Sequence, residues 1–235
     1  NYNLSFVNGA LTINKANAVV TANSNTVSYN GLTQAVTGFS ATGLVNGETS
    51  TVLTNVTTSG GSGKNAGTYA LTASGSDQNY NLSFVNGALT INKANATVTA
   101  NSNTVTYNGL TQTVTGFSTT GLVNGEASTV LTNVTTSGGS GKNAGTYTLT
   151  ASGSDPNYNL SFVDGVLTVN KASLTVSGAN NTLTYNGSVI SNSGASYSGQ
   201  QGSDSFIISG YASGTRMGTY TDSLSVSGSA LANYD

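Results

Sequence analysis

Three carboxylates recur at one place in this 235-residue chain. Glu48 and Glu126 each follow Asn-Gly in matching loops, and Asp204 aligns with them. Two carboxylates facing one bond are what glycoside hydrolysis requires. The stretch 79–156 offers only Glu126 and Asp155, so these acids read as turn-capping side chains rather than as an acid–base pair. Asp155-Pro-Asn157 and Asp77-Gln-Asn79 each place two oxygen side chains two residues apart. A calcium site takes about 6–8 oxygens, usually with several carboxylates, and no loop is that rich in acids. The chain has no His and no Cys. That removes Cys/His and Ser/His/Asp nucleophile systems and the usual zinc ligands. Ser-x-x-Lys is absent; Ser62 stands two residues before Lys64, but Thr215 takes the lysine's place in the last part of the chain. The expectation is a non-enzymatic protein with no cofactor and no metal.

Lysine recurs at Lys15, Lys93 and Lys171. An isopeptide crosslink would need a buried lysine, a facing Asn and a nearby acid. The favoured reading is a lysine that guards a strand end against edge pairing. Tyrosine recurs at 29/107/185, at 69/147/220 and at 80/158/234, which argues for core or corner roles, since a tyrosine can bury its ring and still bond its hydroxyl. Tyr197 and Tyr211 have no such counterparts, and with the nearby Gln200 and Gln201 they are the candidate glycan contacts. The plainer reading is an ordinary scatter of surface rings. Asn-x-Ser/Thr occurs at Asn81, Asn95 and Asn133, as chance provides in a chain so rich in Asn and Thr.

The elements that carry these residues repeat. Asn1–Lys15 returns letter for letter at Asn79–Lys93 and, with small changes, at Asn157–Lys171. Residues 1–78 and 79–156 differ at seven places: 19/97, 28/106, 35/113, 41/119, 49/127, 70/148 and 78/156. Most exchange Thr for Ala, Val or Ser, as solvent faces allow. The last stretch keeps Tyr185-Asn-Gly187, Gly218-Thr-Tyr220 and Asn233-Tyr234 but alters the loops between them. A copy of this size buries one modest core. Only 6% of residues are charged and the net charge is −2, so electrostatic capture of nucleic acid or anionic membrane has no support. No apolar run reaches the length of a membrane span.

The periodicity is that of strands throughout. Ala96, Val98 and Ala100 alternate with threonines, as do Tyr147, Leu149 and Ala151; Val130, Thr132 and Val134 make a weaker strand. Asn86-Gly87 predicts a type I′ hairpin pairing Phe84 with Leu89 and Leu82 with Ile91, all on one face. From Ile91 to Val98 the chain runs without a Gly/Ser or Pro spacer, which predicts a stiff joint between successive copies.

Taken together, the Lys-Ala strand opening, the Thr-Tyr-Asn-Gly turn, Gly-Leu-Val-Asn-Gly at 43–47 and 121–125, Asn-Ala-Gly-Thr-Tyr at 143–147 and the closing Asn-Tyr-Asn-Leu-Ser-Phe-Val-Asn-Gly segment resemble the MBG and YDG-type repeat domains of large bacterial surface adhesins. The resemblance covers nearly the whole chain. In that frame residues 1–14 are the closing hairpin of a preceding module, 15–92 and 93–170 are two MBG-like repeats, and 171–235 is a divergent, YDG-like one with Gly199-Gln-Gln-Gly202 in place of Gly-Leu-Val-Asn-Gly. It implies an all-β tandem array of small antiparallel sandwich or β-grasp-like modules forming an elongated rod, secreted or on the cell surface. The expected function is a structural stalk that gives reach for adhesion or biofilm. The alternative is a multivalent module binding glycan or matrix polysaccharide. The expected partners are neighbouring repeats. Head-to-tail strand exchange through residues 1–14 is a further expectation, against the alternative that this hairpin frays and the third copy closes differently. An ice-binding solenoid suits the threonine content but not a period of 78.

Overall fold

The computed structural model describes residues 1–235, and every regular element in it is a strand or a single 3-10 turn. The chain folds as two compact units: Asn1–Ala96 with Gly121–Thr132 and Ser154–Leu160, and Thr97–Thr120 with Asn133–Gly153 and Ser161–Asp235.

The first unit holds the whole first copy. Its strands are β1 (Ala16–Ala22), β2 (Asn25–Ser28), β3 (Gln34–Ala35), β4 (Phe39–Thr42), β5 (Val56–Gly60), β6 (Ser62–Gly63), β7 (Gly67–Gly75), β8 (Tyr80–Val85) and β9 (Gly87–Asn92), with a 3-10 turn at Ser50–Val52. One sheet has the order β4-β1-β8, a second β2-β9-β7-β5, and β3-β6 form a short ribbon. Strand alternation turns Ala18, Val20 and Ala22 of β1 inward against Leu71 and Ala73 of β7, Leu53, Val56 and Tyr80. Leu89 and Ile91 on β9 are also fully buried. Strands at 94–100, 103–106, 117–120, 134–138, 145–153, 158–163 and 165–170 repeat this order in the second copy, and Val98, Leu149 and Leu167 are as buried as their first-copy counterparts. None of the fourteen positions at which the first two copies differ is buried, so their shared core is unchanged.

Two local expectations are corrected. The Asn86-Gly87 hairpin does not form. β8 lies parallel to β1, with Ala16 opposite Tyr80 and Thr21 opposite Val85, whereas β9 crosses to the other sheet and sits between β7 (antiparallel) and β2 (parallel). The sheets are therefore mixed, not purely antiparallel. Phe84 consequently stays partly exposed while Leu89 is buried. Gly87 is required at this crossing, because a Cβ there would lie 2.1 Å from the Asn23 carbonyl oxygen and 2.4 Å from that of Ala22. The strand expected over Val130–Val134 begins only at Val134; Ser128–Val130 is a 3-10 turn that drops Leu131 into the core.

The second unit also holds the third copy. Here the strands are shorter and pair only in twos: Thr175–Ser177 with Ser196–Ser198, Ile190–Ser191 with Ser213–Gly214, and Ile207–Ser209 with Ser225–Ser227. These correspond to β1·β4, β3·β6 and β5·β7 of the first copy.

Candidate functional site: a tyrosine–carboxylate joint

The recurring acids and the recurring tyrosines meet. Within the first unit, Val123-Asn-Gly-Glu126 is a tight turn closed by the Glu126 N–H on the Val123 carbonyl at 3.0 Å, with Asn124 and Gly125 both left-handed at φ 52° and 69°. Two successive left-handed residues are what Asn-Gly supplies at least cost. The turn aims the Glu126 carboxylate at two hydroxyls. Tyr29 donates to one oxygen at 2.6 Å, and Tyr158 to the other at 2.5 Å. The Tyr158 hydroxyl in turn accepts the Val123 N–H at 3.0 Å. The two rings stand edge to face, 5.4 Å apart at 82°.

Local chemistry holds each partner. Tyr29 follows β2, its N–H bonded to the Asn92 carbonyl, and the Asn30 side chain accepts the Leu32 N–H to turn the chain away. Buried Asp155 accepts the N–H groups of Asn157 at 2.7 Å and Tyr158 at 3.1 Å, which sets the start of that strand. Lys93 donates to the Asp155 carbonyl at 2.7 Å, and Lys15 does the same at Asp77. The recurrent lysine thus ties down this turn and meets a backbone oxygen, not an Asn side chain; Lys171 pairs with the Asp235 carboxylate at 3.4 Å. A second latch joins the same two copies: the Asn157 side-chain oxygen accepts the Ala66 N–H at 2.9 Å.

The second unit builds the joint again with a shorter acid. Tyr107 and Tyr234 both donate to one oxygen of Asp204, at 2.9 and 2.7 Å, with their rings 5.5 Å apart at 79°. The Asp204 N–H closes the turn on the Gln201 carbonyl, and the Gln201 N–H reaches the Tyr234 hydroxyl at 2.8 Å. Asn233 accepts the Ala144 N–H at 2.8 Å. Glu48 of the first copy forms half a joint, accepting from the Tyr80 hydroxyl alone.

The environment favours neutral phenols. Burial, reinforced by the hydrogen bond to Glu126, pushes Tyr158 up to about 12, and the same causes raise Tyr29 further. Burial and Asp204 push Tyr234 up to about 12 and raise Tyr107. For Tyr80 the bond to Glu48 is the main cause of its rise.

Of the candidate glycan residues, Tyr197 and Gln201 lie at the second joint. Tyr197 is half-buried, edge to face with Phe206 at 5.3 Å, and its hydroxyl accepts the Phe206 N–H at 3.3 Å. Gln201 supports Tyr234 through its backbone, while Gln200 and Tyr211 are exposed. Sequence reading finds the tyrosine and acid recurrences separately. It misses that they meet, because Tyr29 and Tyr158 stand 97 and 32 residues from Glu126.

No curated protein matches this sequence. A family profile does, twice in tandem: the MBG domain (YGX type) matches residues 18–90 and 96–168, each match spanning one complete set of core strands. MBG repeats are a non-catalytic repeat type and mark an adhesin-like repeat region. With more than half of its length matched, the chain belongs to the MBG domain (YGX type) family.

Proposed function

We propose that this chain is a structural spacer within a larger secreted or cell-surface bacterial adhesin, giving reach for adhesion or biofilm formation. The joint carries this reading. Copies one and two are connected by Asn92-Lys93-Ala94 with no linker, and their ends are clamped by a carboxylate shared between two tyrosines and by the Asn157 latch. A clamp of this kind favours fixed spacing over hinge motion. Eight of the nine recurring tyrosines, which a multivalent lectin would display, are instead engaged internally: the hydroxyls of Tyr29, Tyr107, Tyr80, Tyr158 and Tyr234 face carboxylates, and those of Tyr69, Tyr147 and Tyr220 donate to backbone carbonyls, whereas Tyr185 is exposed.

Paired spin labels at exposed Ser59 and Ser154, one in each of the first two copies and both within the first unit, test the reading by pulsed electron resonance. A spacer gives a narrow distance distribution that broadens with Glu126→Ala. A broad distribution in the unaltered joint, or saturable binding of the chain to a glycan panel, would refute it.

A further inference from the structure

The two main sheets of the first copy have four outer strands: β4 and β8 in one, β2 and β5 in the other. β8 is the longest of them, with six residues against five in β5 and four each in β2 and β4. β5 runs into Gly60 and Gly61, left-handed at φ 87° and 65°, which interrupt its edge. β8 carries none of the usual guards: Tyr80-Asn-Leu-Ser-Phe-Val85 has no charge, no Pro and no Gly. Lys15, the lysine expected to guard a strand end, is bonded instead to the Asp77 carbonyl.

Half of the backbone groups of β8 face outward. The Asn79 carbonyl accepts the Ala16 N–H at 3.0 Å, and the ladder with β1 runs on from Ala16↔Tyr80. Successive residues of a strand turn their backbone groups to opposite sides, so Asn81, Ser83 and Val85 bond to β1 while Tyr80, Leu82 and Phe84 point theirs away from it. The Asp77 side chain accepts the Tyr80 N–H at 3.1 Å; beside Leu82 and Phe84 there is no further strand. Phe84 is 37% exposed and Val85 49%. The sequence of this edge is also self-complementary. Around Leu82 it reads aromatic, polar, leucine, polar, aromatic in either direction. Two such strands laid antiparallel pair Leu82 with Leu82, Asn81 with Ser83 and Tyr80 with Phe84, so that each side chain meets one of its own kind. In that register each Leu82 N–H meets the other Leu82 carbonyl, and each Phe84 N–H the other Tyr80 carbonyl.

We propose that this edge pairs with the same edge of a second copy of the chain, side by side across a two-fold axis, and joins β4-β1-β8 to its mate in one continuous sheet. The edge is uncharged and the whole chain carries a net charge of only −2, so little repulsion opposes the contact. Tyr158-Asn-Leu-Ser-Phe162 repeats the edge in the second copy: its strand is again outermost, Asp155 again accepts the tyrosine N–H, and Phe162 is 37% exposed. Six residues a side fall well short of the roughly 20–30 of a stable interface. One edge therefore holds weakly, and the two that each chain offers make lateral association measurable. Such pairing is independent of the spacer role.

Sedimentation velocity of the full chain over a range of concentrations tests it, and concentration-dependent association is expected. Asn81→Lys, Ser83→Lys, Asn159→Lys and Ser161→Lys together alter only exposed side chains and set like charges opposite one another across the contact. They should weaken association about tenfold per edge. Glutamate at the same positions should act alike, and an equimolar mixture of the lysine and glutamate chains should associate again, a recovery that loss of structure cannot imitate. Oxidation checks the register, since the chain has no cysteine of its own. Chains with Asn81→Cys and Asn159→Cys, mixed with chains carrying Ser83→Cys and Ser161→Cys, should crosslink faster than either kind alone. A chain that stays monomeric to millimolar concentration overturns the proposal. So does association that the lysines leave unchanged, or a mixture of the two charged chains that stays apart.

Discussion

Glu126 allows the strength of the joint to be measured. Its carboxylate is the acceptor for two phenols, Tyr29 at 2.6 Å and Tyr158 at 2.5 Å, which belong to successive copies. A hydrogen bond to a charged group contributes about 1.5–3 kcal/mol, and at a half-buried site the lower end applies because water can hydrate a freed hydroxyl. Glu126→Ala removes both acceptors and should cost about 2–3 kcal/mol. Glu126→Gln keeps one acceptor oxygen and should cost about half as much. Tyr29→Phe preserves the ring contact and removes one donor. Combined with Glu126→Gln in a double-mutant cycle, it should show a coupling of about 1 kcal/mol. The assay is urea unfolding followed by far-ultraviolet circular dichroism, fitted as a linear array with an interface term between neighbouring copies. Glu48→Gln is the internal control, since Glu48 sits in the same turn and accepts from Tyr80 but serves no second tyrosine. A coupling below about 0.3 kcal/mol, within ordinary additivity error, would refute the claim that the carboxylate joins the copies. Equal losses from Glu48→Gln and Glu126→Gln would refute it as well.

Alkali should loosen the joints before it reaches the rest of the chain. Tyr158 and Tyr234 ionise near 10 when unfolded but at about 12 when folded, so the unfolded chain loses protons first. Their stabilisation is complete below about pH 10 and drains away as pH rises towards about 12. The urea midpoint should fall across that window, less steeply in Glu126→Gln; a flat midpoint would contradict the assignment. Gly87→Ala sets a Cβ against two carbonyl oxygens and should destabilise by about 1–3 kcal/mol, as overpacking does. Gly9→Ala, in the same sequence context but with nothing within 4 Å, should leave the melting curve of the monomer unchanged.

How much of this was legible depended on the range of the interaction. The alternation of Ala96, Val98 and Ala100 declared its buried face because the period of a strand is set residue by residue, and all three are buried. Eleven of the fourteen differing positions are exposed, as their chemistry implied; Ala41, Thr97 and Thr119 are half-buried, and Ala41 packs against the core. Asn-Gly was the instructive failure. At Asn124-Gly125 it forms the tight left-handed turn that the dipeptide encodes. At Asn86-Gly87 the same dipeptide is a crossing between sheets, decided by the close approach of Gly87 to the Ala22 and Asn23 carbonyls. No local pattern distinguishes these, because Phe84 and Leu89 alternate identically whichever strand they join. The joint was hidden for a related reason: its acid and its two tyrosines are each unremarkable in sequence, and only the stacking of one copy's end on the next brings them together.

The parallel pairing of β8 with β1 and of β9 with β2 has a mechanical consequence. Tension along the chain enters the first copy at the start of β1 and leaves at the end of β9. Because each of these pairs runs in the same direction, the pull drags one strand forward along its neighbour and the other back. The six residue pairs from Ala16↔Tyr80 to Thr21↔Val85 and the four from Asn25↔Leu89 to Ser28↔Asn92 are then loaded in shear, all at once, whereas a hairpin at Asn86-Gly87 would leave the last two strands to peel away rung by rung. Resistance to force is governed by the rate of unfolding under load, and a shear geometry raises the barrier that the load must lower.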